Sequence, residues 1–374
     1  MNILYLCTYY HRAMIFRDAM NSLETLGNTV TAFNAVATHT TIDDKYKGIM
    51  DSKVVHRECF KKSDRYIYFL KQKKIAAAIE KSIDLKRIEL VHSHTLFNGG
   101  WAARSIKKKY DIPYIVSVRN TDINSFLKFP IFKYVARKIV SESCGVQFLS
   151  AAYKEKFIEI CYPKDRQIVD DKCAVIANGV EEFWLNNIAE AKNIQDKNTV
   201  ALLCVGKIDK NKNMESVLAA ADILEQKGVA TKITLIGQIL DEELYDRLKD
   251  NERVTLVPYL TKEDLIHYYR SNDIFVMPSF HESFGRVYVE AMSQGIPVIY
   301  TRGQGFDGIF ENGKVGYSVS ASNPEEIAEA VVKIVRNYSE ISHNCVRNCI
   351  GFDWNEVGKQ LDSFYRKSLM TAGR

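Results

Sequence analysis

Residues 276–299 have the sequence VMPSFHESFGRVYVEAMSQGIPVI, and this stretch decides the fold. The apolar run that begins at Ile274 ends at Pro278, as a buried strand does. The next segment repeats apolar residues at helical spacing, and Gly295 followed by Pro297 marks the end of such a helix. The pattern therefore predicts a strand, a loop, a helix and a second strand.

The start of the predicted helix has the features of an anion site. Ser283 is expected to be its N-cap, and Gly285 leaves the first-turn N–H groups open to a phosphate. Glu282 precedes the helix and Glu290 lies on it, and both would repel a phosphate. They would instead suit the hydroxyls of a ligand with a sugar on either side of a diphosphate. From the spacing alone, the alternative is an ordinary amphipathic helix with Glu290 in solvent and Glu282 there by chance.

Length and composition favour a soluble protein of two domains. The chain has 374 residues, of which 46% are hydrophobic and 26% charged. No apolar run approaches the roughly 20 residues of a membrane-spanning helix, and the first residues lack the pattern of a signal peptide. The eight cysteines show no zinc-site spacing, so we expect free thiols, as in a reducing cytoplasm.

Charge is distributed unevenly along the chain. Residues 1–150 hold 24 lysines and arginines against 13 acidic residues, whereas residues 151–374 hold 27 against 33. Two segments, 61–74 and 126–138, mix basic residues with large apolar ones. Such segments fit a surface that lies on an anionic membrane, or solvated helix faces above core aromatics. Nucleic-acid binding is a weaker alternative, because no recognition module is visible.

Strand and helix patterns alternate, which predicts parallel sheets, although residues 34–60 look irregular. Lys207 and Lys212 follow the apolar run 200–205, where a strand-to-helix loop would let them pair with a diphosphate or simply form a solvated turn. His94 and Asp122 follow two other predicted strands. A structural histidine and an ion pair between Arg119 and Asp122 are the alternatives there.

The residues Glu282-Ser283-Phe284-Gly285, Glu290-Ala291-Met292 and Gly295-Ile296-Pro297-Val298 together resemble the retaining glycosyltransferases of family four, the glycosyl transferases group 1. The resemblance implies an α/β protein of the GT-B class, with two Rossmann-like doubly wound domains facing across a cleft. We expect an acceptor-binding domain at 1–185, a polar linker at 186–198 and a nucleotide-sugar-binding domain at 199–350. Residues 351–374 are expected to form a helix that crosses back to the first domain.

The resemblance also implies the roles of individual residues. Glu282, His94 and Asp122 are expected at the reacting sugar, with Glu290 on the ribose hydroxyls. No metal or other cofactor is implied. The expected donor-binding residues are Gly206, Lys207, Lys212, Phe284, Gly285, Glu290 and Tyr259.

The chain departs from the family pattern at several places. Lys207 stands where the family usually has arginine, and Arg119-Asn120 replaces a His-Gly pair. The loop at 8–13 lacks the glycines that the family often has there.

The function implied is retaining transfer of a sugar from a UDP- or GDP-sugar to a saccharide or lipid-linked saccharide, in cell-surface polysaccharide synthesis. The expected location is the cytoplasm, including the inner face of the cell membrane. Two alternatives remain: a nucleotide-sugar epimerase of the same fold, and a non-catalytic, membrane-associated protein that binds nucleotide-sugars.

Overall fold

The computed structural model describes residues 1–8, 10, 14–41, 53–194 and 199–373. These residues form two compact units. The first unit comprises Met1–Gly179 together with the segment that begins at Trp354, and the second comprises Val180–Asp353.

The described strands of the first unit are β1 (Asn2–Cys7), β2 (Thr29–Ala37), β3 (Val54–Phe60), β4 (Leu90–Ser93), β5 (Tyr114–Val118), β6 (Gly145–Phe148) and β7 (Cys173–Val175). They form one sheet in the order β3-β2-β1-β4-β5-β6-β7, and every neighbouring pair is parallel. The chain order reverses between β1 and β4, which makes the carboxyl ends of these two strands the switch point of the sheet.

Helices cover both faces of this sheet, which is why all residues of its central strands β4, β5 and β6 are buried. Leu4 and Leu6 of β1 join one core, and Ile3 and Tyr5 join a second core on the opposite face. The helices of this part of the chain are α1 (Ile15–Glu24), α2 (Tyr68–Ser82), α3 (Gly100–Tyr110), α4 (Asn120–Asn124), α5 (Pro130–Glu142), α6 (Ala151–Cys161) and α7 (Gln167–Asp170).

The second unit repeats the same plan. Its described elements are α8 (Glu182–Asn186), β8 (Thr199–Val205), α9 (Met214–Gln226), β9 (Ala230–Ile236), α10 (Glu242–Lys249), β10 (Val254–Val257), α11 (Lys262–Ser271), β11 (Ile274–Met277), α12 (Arg286–Ser293), β12 (Val298–Thr301), β13 (Gly316–Val319), α13 (Pro324–Arg336) and α14 (Tyr338–Cys349). The strands form a parallel sheet in the order β10-β9-β8-β11-β12-β13, with its switch point between β8 and β11. Two parallel α/β sheets are thus present, as expected.

The last helix, α15 (Trp354–Thr371), belongs to the first unit. Its Tyr365 is fully buried, and the hydroxyl lies 3.0 Å from that of Tyr5 and 2.6 Å from Nδ1 of His92. Because α15 and α1 contribute to the same core, this helix completes one face of the first sheet.

The structure divides the chain differently from the boundary expected at residue 185. Helix α8 lies in the second unit, where Trp184 packs edge-on against Tyr269 with ring centroids 5.4 Å apart. The described part of the polar stretch 186–198 also lies there: Lys192 donates to the carbonyls of Tyr269, Arg270 and Asn272. Residues 195–198 lie outside the described residues.

The described parts of residues 34–60 are more regular than expected, because β2 continues to Ala37 and β3 occupies Val54–Phe60. Residues 42–52 lie outside the described residues. All eight cysteines are free and at least partly buried. None of the helices described here combines the length and the apolar character that crossing a membrane requires.

Candidate functional site

Two loops of the second unit meet at the switch point of its sheet. One follows β8 and contains Gly206, Lys207 and Lys212, and the other follows β11 and leads to Gly285. Asn211 ties them together, since its backbone oxygen accepts from Phe280 N–H and its side chain bonds both backbone groups of His281. We call these segments, 206–212 and 278–285, the switch-point loops. They bring most of the predicted donor-binding residues to one edge of the sheet.

Lys212 and Glu282 form an ion pair between these loops. Nζ of Lys212 lies 2.7 Å from Oε2 of Glu282, and the two side chains are only 17% and 15% exposed. Gly206 permits this approach, because a Cβ there would lie 3.2 Å from Cε of Lys212. The Glu282 carboxylate thus pairs with the Lys212 ammonium group, the same cation to which an anionic ligand would bind. Lys207 is exposed at the same edge.

The N-terminus of α12 is capped differently from the prediction. Gly285, with φ +80°, is the N-cap residue, and no side chain in the described part of the chain caps the helix, so the expectation that Ser283 is the N-cap is wrong. A Cβ at Gly285 would lie 2.4 Å from the ring of Tyr288, which excludes other residues sterically. The first-turn N–H groups of α12 therefore have no side-chain acceptor and favour an anion.

The loop that carries Glu282 is held in place by hydrogen bonds to residues that were not predicted from the sequence. Gln304 accepts from the backbone N–H of Glu282 at 3.1 Å, and Gly305 donates to the Glu282 carbonyl at 2.9 Å. Gly305 approaches so closely that a Cβ would lie 2.2 Å from the carbonyl carbon of Ser283. Phe284 is buried against Phe306 and Phe352, so its ring anchors the loop and only its backbone can face a ligand.

Glu290 lies a little more than one turn into α12 and is half-buried. Burial raises the pKa of its carboxyl group to about 7, although the Arg286 cation opposes this shift. Glu181 raises the same pKa, and the Tyr269 hydroxyl donates to Oε2 of Glu290 at 3.3 Å. Neither Glu181 nor Tyr269 was predicted from the sequence to be a neighbour of this carboxyl group.

Tyr259 follows β10, which is separated from β8 by β9. Its ring is 79% exposed, and in the described part of the chain no hydrogen bond or ring contact joins it to the switch-point loops. The structure therefore leaves Tyr259 apart from the other predicted donor-binding residues.

The first unit has its own polar group at a switch point. His94 follows β4, and its backbone N–H donates to Leu6 of β1 at 3.1 Å. Arg119 donates to the His94 carbonyl at 3.0 Å and lies 3.3 Å from Nδ1. A guanidinium can only donate, so Nδ1 is the acceptor and Nε2 carries the proton.

His94 is neutral and presents a buried donor. Its pKa is held well below the usual range by burial, and then by His92 and Arg119. Nε2 is buried and has no hydrogen-bond partner among the described residues. Since buried polar groups are almost always paired, this N–H fits an oxygen of a ligand.

Asp122 serves as an anchor for backbone groups. Its buried carboxylate accepts the N–H groups of Leu96 and Phe97, each at 3.1 Å, and that of Arg119 at 2.9 Å. Burial raises its pKa to about 6 against these hydrogen bonds. Among the described residues, the hydrogen bonds of the Arg119 guanidinium go to His94 and Asn178, and none goes to the Asp122 carboxylate.

The two segments rich in basic and apolar residues lie side by side in the first unit, since Tyr68, the first residue of α2, packs edge-on against Phe132 of α5 with ring centroids 5.2 Å apart. Their large apolar side chains are exposed: Tyr66, Ile67, Phe69, Leu70, Phe129, Ile131 and Tyr134. We call this area the basic–aromatic surface. The exposed side chains of this surface therefore do not belong to the core.

Known proteins resemble both units. The family model described as Glycosyltransferase Family 4 matches residues 16–182, and that described as Glycosyl transferases group 1 matches residues 170–350. The chain is 25% identical over 327 residues to an uncharacterized glycosyltransferase of Methanocaldococcus jannaschii, covering 80% of this chain and 81% of the relative. It is 26% identical over 270 residues to the capsular polysaccharide biosynthesis glycosyltransferase CapM of Staphylococcus aureus, covering 68% and 70%.

A solved structure extends the likeness to the whole chain. The Anabaena protein HepE, in complex with UDP-glucose, superposes with a TM-score of 0.70 at 17% identity, covering 98% of this chain and 99% of that one. The fold is therefore that of the GT-B glycosyltransferases. Since the two family models follow each other along the two units, the chain belongs to the glycosyl transferases group 1, the family-four glycosyltransferases.

Proposed function

We propose that this glycosyltransferase moves a sugar, with retention of anomeric configuration, from a UDP- or GDP-sugar to a saccharide or lipid-linked saccharide of a cell-surface polysaccharide. The observation that carries the proposal is the Lys212–Glu282 pair beside the uncapped N-terminus of α12. The Lys212 cation and the backbone N–H groups at the start of α12 can bind an anion there. The neighbouring carboxylates can accept hydrogen bonds from hydroxyl groups. The UDP-glucose in the HepE complex and the capsular role in the name of CapM support the same donor and pathway class.

In this mechanism the donor diphosphate binds Lys207, Lys212 and the backbone N–H groups at Phe284 and Gly285. Glu290 accepts hydroxyl groups of the ribose, and Glu282, freed from Lys212 by the diphosphate, accepts hydroxyl groups of the transferred sugar. Tyr259, with its exposed ring, is assigned to the nucleobase.

The bond between the sugar C1 and the phosphate oxygen breaks with its electron pair going to the phosphate. Lys207, Lys212 and the helix N-terminus stabilise the charge that grows there, so no metal ion is required. The acceptor hydroxyl attacks C1 on the face that the phosphate leaves, and its proton passes to a phosphate oxygen. The neutral Nε2–H of His94 donates to a hydroxyl of the reacting sugar, and Asp122 keeps the neighbouring loop in place.

The test compares Lys212→Met with Lys210→Met, which alters an exposed lysine of the same loop. Lys212→Met is expected to weaken nucleotide-sugar binding by roughly a hundredfold, as loss of a half-buried charge contact does. Lys210→Met is expected to bind as the unaltered protein does. Titration calorimetry with UDP- and GDP-sugars measures both, and equal affinities in the two variants would refute the assignment.

Product analysis separates this function from the alternatives. Mass spectrometry of a reaction with an acceptor panel identifies transfer, and the NMR coupling at the anomeric position reports retention. Conversion of the nucleotide-sugar without an acceptor would identify an epimerase. Binding without turnover would identify a non-catalytic protein. We place the reaction at the cytoplasmic face of the cell membrane, where the basic–aromatic surface would meet anionic lipid.

A further inference from the structure

The first unit contains an open pocket of about 410 Å³ that lies where β2 and β3 end. The residues that follow β2, the end of β3, the short helix Lys62–Tyr66 and the start of α2 all contribute to its wall. Carboxyl ends of parallel strands are the usual location of ligand sites in such sheets. None of the donor-binding residues assigned above lines this pocket.

The wall of the pocket is strongly cationic. Lys62, Arg65 and Lys71 line it, and its described lining residues include no aspartate or glutamate. The nearby Asp64 is already bound, since its carboxylate pairs with Lys74 at 2.7 Å. Glu58, on β3, is also already bound, since its carboxylate accepts the backbone N–H of His39.

Lys71 is the least usual of the three cations, because it is only 8% exposed. The partners that the structure gives its Nζ are neutral: Oδ1 of Asn98 at 2.8 Å and the ring of Phe60 at 4.9 Å. Burial, and then the Arg65 charge, lowers the pKa of Lys71 to about 8. A buried ammonium group without a carboxylate is costly, and a bound anion would remove much of that cost.

Two hydroxyl groups of the wall point to a ligand independently of the charges. Oγ1 of Thr8 and the phenolic oxygen of Tyr68 are both buried and have no hydrogen-bond partner among the described residues. Buried hydroxyls are rarely left unpaired in native proteins. A ligand oxygen in the pocket is the simplest partner for both.

We propose that this pocket binds a phosphate group of the acceptor, with Lys71 as the central contact and Arg65 and Lys62 at the rim. The inference rests on the proposed function, because it identifies the acceptor as a phosphorylated saccharide. Three cations and two hydroxyl donors match a phosphate monoester, which carries nearly two charges, better than a single carboxylate. The hydroxyls of Thr121 and Ser125, which also line the wall, are then available to the saccharide.

The first measurement is titration calorimetry of the full chain with glycerol 1-phosphate, with glycerol as the uncharged control. Lys71→Met keeps the length and apolar stem of the side chain, so the core is expected to remain packed. This variant is expected to bind roughly tenfold more weakly or worse, whereas Lys73→Met, an exposed lysine of the same helix, is expected to bind as the unaltered chain does.

A second variant guards against loss of folding in the first. Arg65→Gln combined with Lys62→Gln changes only exposed side chains and is also expected to weaken binding roughly tenfold. Affinity for glycerol 1-phosphate that is unchanged in both the Lys71 variant and this double variant would overturn the proposal. So would an equal loss in Lys73→Met.

Two further arms distinguish this pocket from the donor site and identify the source of the phosphate. Lys212→Met is expected to lose affinity for the nucleotide-sugar and to keep its affinity for glycerol 1-phosphate. Lys71→Met is expected to keep affinity for the nucleotide-sugar and to lose affinity for glycerol 1-phosphate. Failure of nucleotide-sugar binding in the unaltered chain would thus refute the proposed function while the phosphate site stood. The last measurement is binding to phosphatidylcholine vesicles with and without phosphatidic acid. Binding to the acidic vesicles that depends on Lys71 assigns the phosphate to a lipid-linked acceptor. Absence of such binding assigns the phosphate to a free sugar phosphate.

Discussion

Glu290 is a half-buried carboxyl group whose charge state changes near neutral pH. Burial raises its pKa to about 7, so the folded protein without ligand holds it protonated below that pH. A carboxylate accepts two hydroxyl hydrogen bonds, whereas a protonated carboxyl group must donate with one oxygen. Donor affinity is therefore expected to rise as the pH increases from about 6 to about 8, and the Glu290→Gln variant should lack this dependence. Calorimetric titrations across this range measure both, and a parallel pH dependence in the variant would contradict the assignment.

The stability of the ligand-free protein should change with pH in the opposite direction. Because the folded pKa of Glu290 lies above the unfolded value, the folded state binds the proton more tightly. The contribution of this group to the free energy of unfolding is present at low pH and is lost as the pH rises through about 7. Urea denaturation of the Glu290→Gln variant should show a smaller loss over the same range, and an identical slope in both proteins would refute this expectation.

Asp122 is expected to contribute mainly to the stability of the folded protein. The Asp122→Asn variant replaces one acceptor oxygen with an NH₂ group that faces backbone donors, so we expect a loss of about 2 kcal/mol in the free energy of unfolding. Asp165→Asn, at an exposed acid of the same unit, provides the control. Urea denaturation is the measurement. A variant with unchanged stability and abolished transfer would show instead that Asp122 acts on the substrate.

At the scale of elements, the start of α12 depends on the backbone of Gly285. Gly285→Ala brings a Cβ within 2.4 Å of the Tyr288 ring at a φ of +80°, and is expected to cost about 3 kcal/mol of stability and weaken donor binding. Gly228→Ala has nearly the same φ, +78°, with open space around the new Cβ, and is expected to cost only about 1 kcal/mol. Thermal unfolding and donor titration compare them. Equal effects in both variants would show that the Tyr288 contact has no role.

The elements themselves were predicted closely wherever an apolar run was bounded by proline or glycine. The predicted strand that begins at Ile274 ends at Met277, immediately before Pro278, and all four of its residues are buried. Such runs are buried on both faces, so their composition alone identifies them. The loop before α12 is held by a hydrogen bond from Gly305 N–H to the Glu282 carbonyl, and the local sequence around Ser283 carries no record of that contact.

The candidate site was predicted as a set of residues but without their partners. Lys212 and Glu282 were both singled out for a ligand, yet they bind each other across 70 positions of the chain. Arg119 was considered as a partner of Asp122, and its guanidinium instead fixes the tautomer of His94. Pairings of this kind depend on which strands are neighbours in the sheet, and spacing along one loop does not encode them.

At the scale of the whole molecule, the uneven charge and the exposed apolar side chains occur in the same half of the chain. Residues 1–150 carry the excess of basic residues, and the basic–aromatic surface lies within them. A solvated helix face would expose the lysines and bury the rings. Here Tyr66 is 92% exposed and Phe129 is 61% exposed, which favours contact with a lipid surface over the alternative.

Two forces would hold that surface on a membrane, and they respond differently to salt. Each basic residue near anionic lipid contributes about 1 kcal/mol, which salt screens over a Debye length of about 10 Å, whereas burial of aromatic rings does not depend on screening. The chain should therefore pellet with vesicles that contain phosphatidylglycerol, and less so as salt increases. Replacing both Tyr66 and Phe129 with serine should lower binding roughly tenfold at every salt concentration, whereas Ile350→Ser, at an exposed apolar residue of the second unit, should leave it unchanged. Sedimentation at several salt concentrations is the measurement. If the chain stays in the supernatant with anionic vesicles, the basic–aromatic surface has no membrane role. The same conclusion follows if the Ile350 variant loses binding equally.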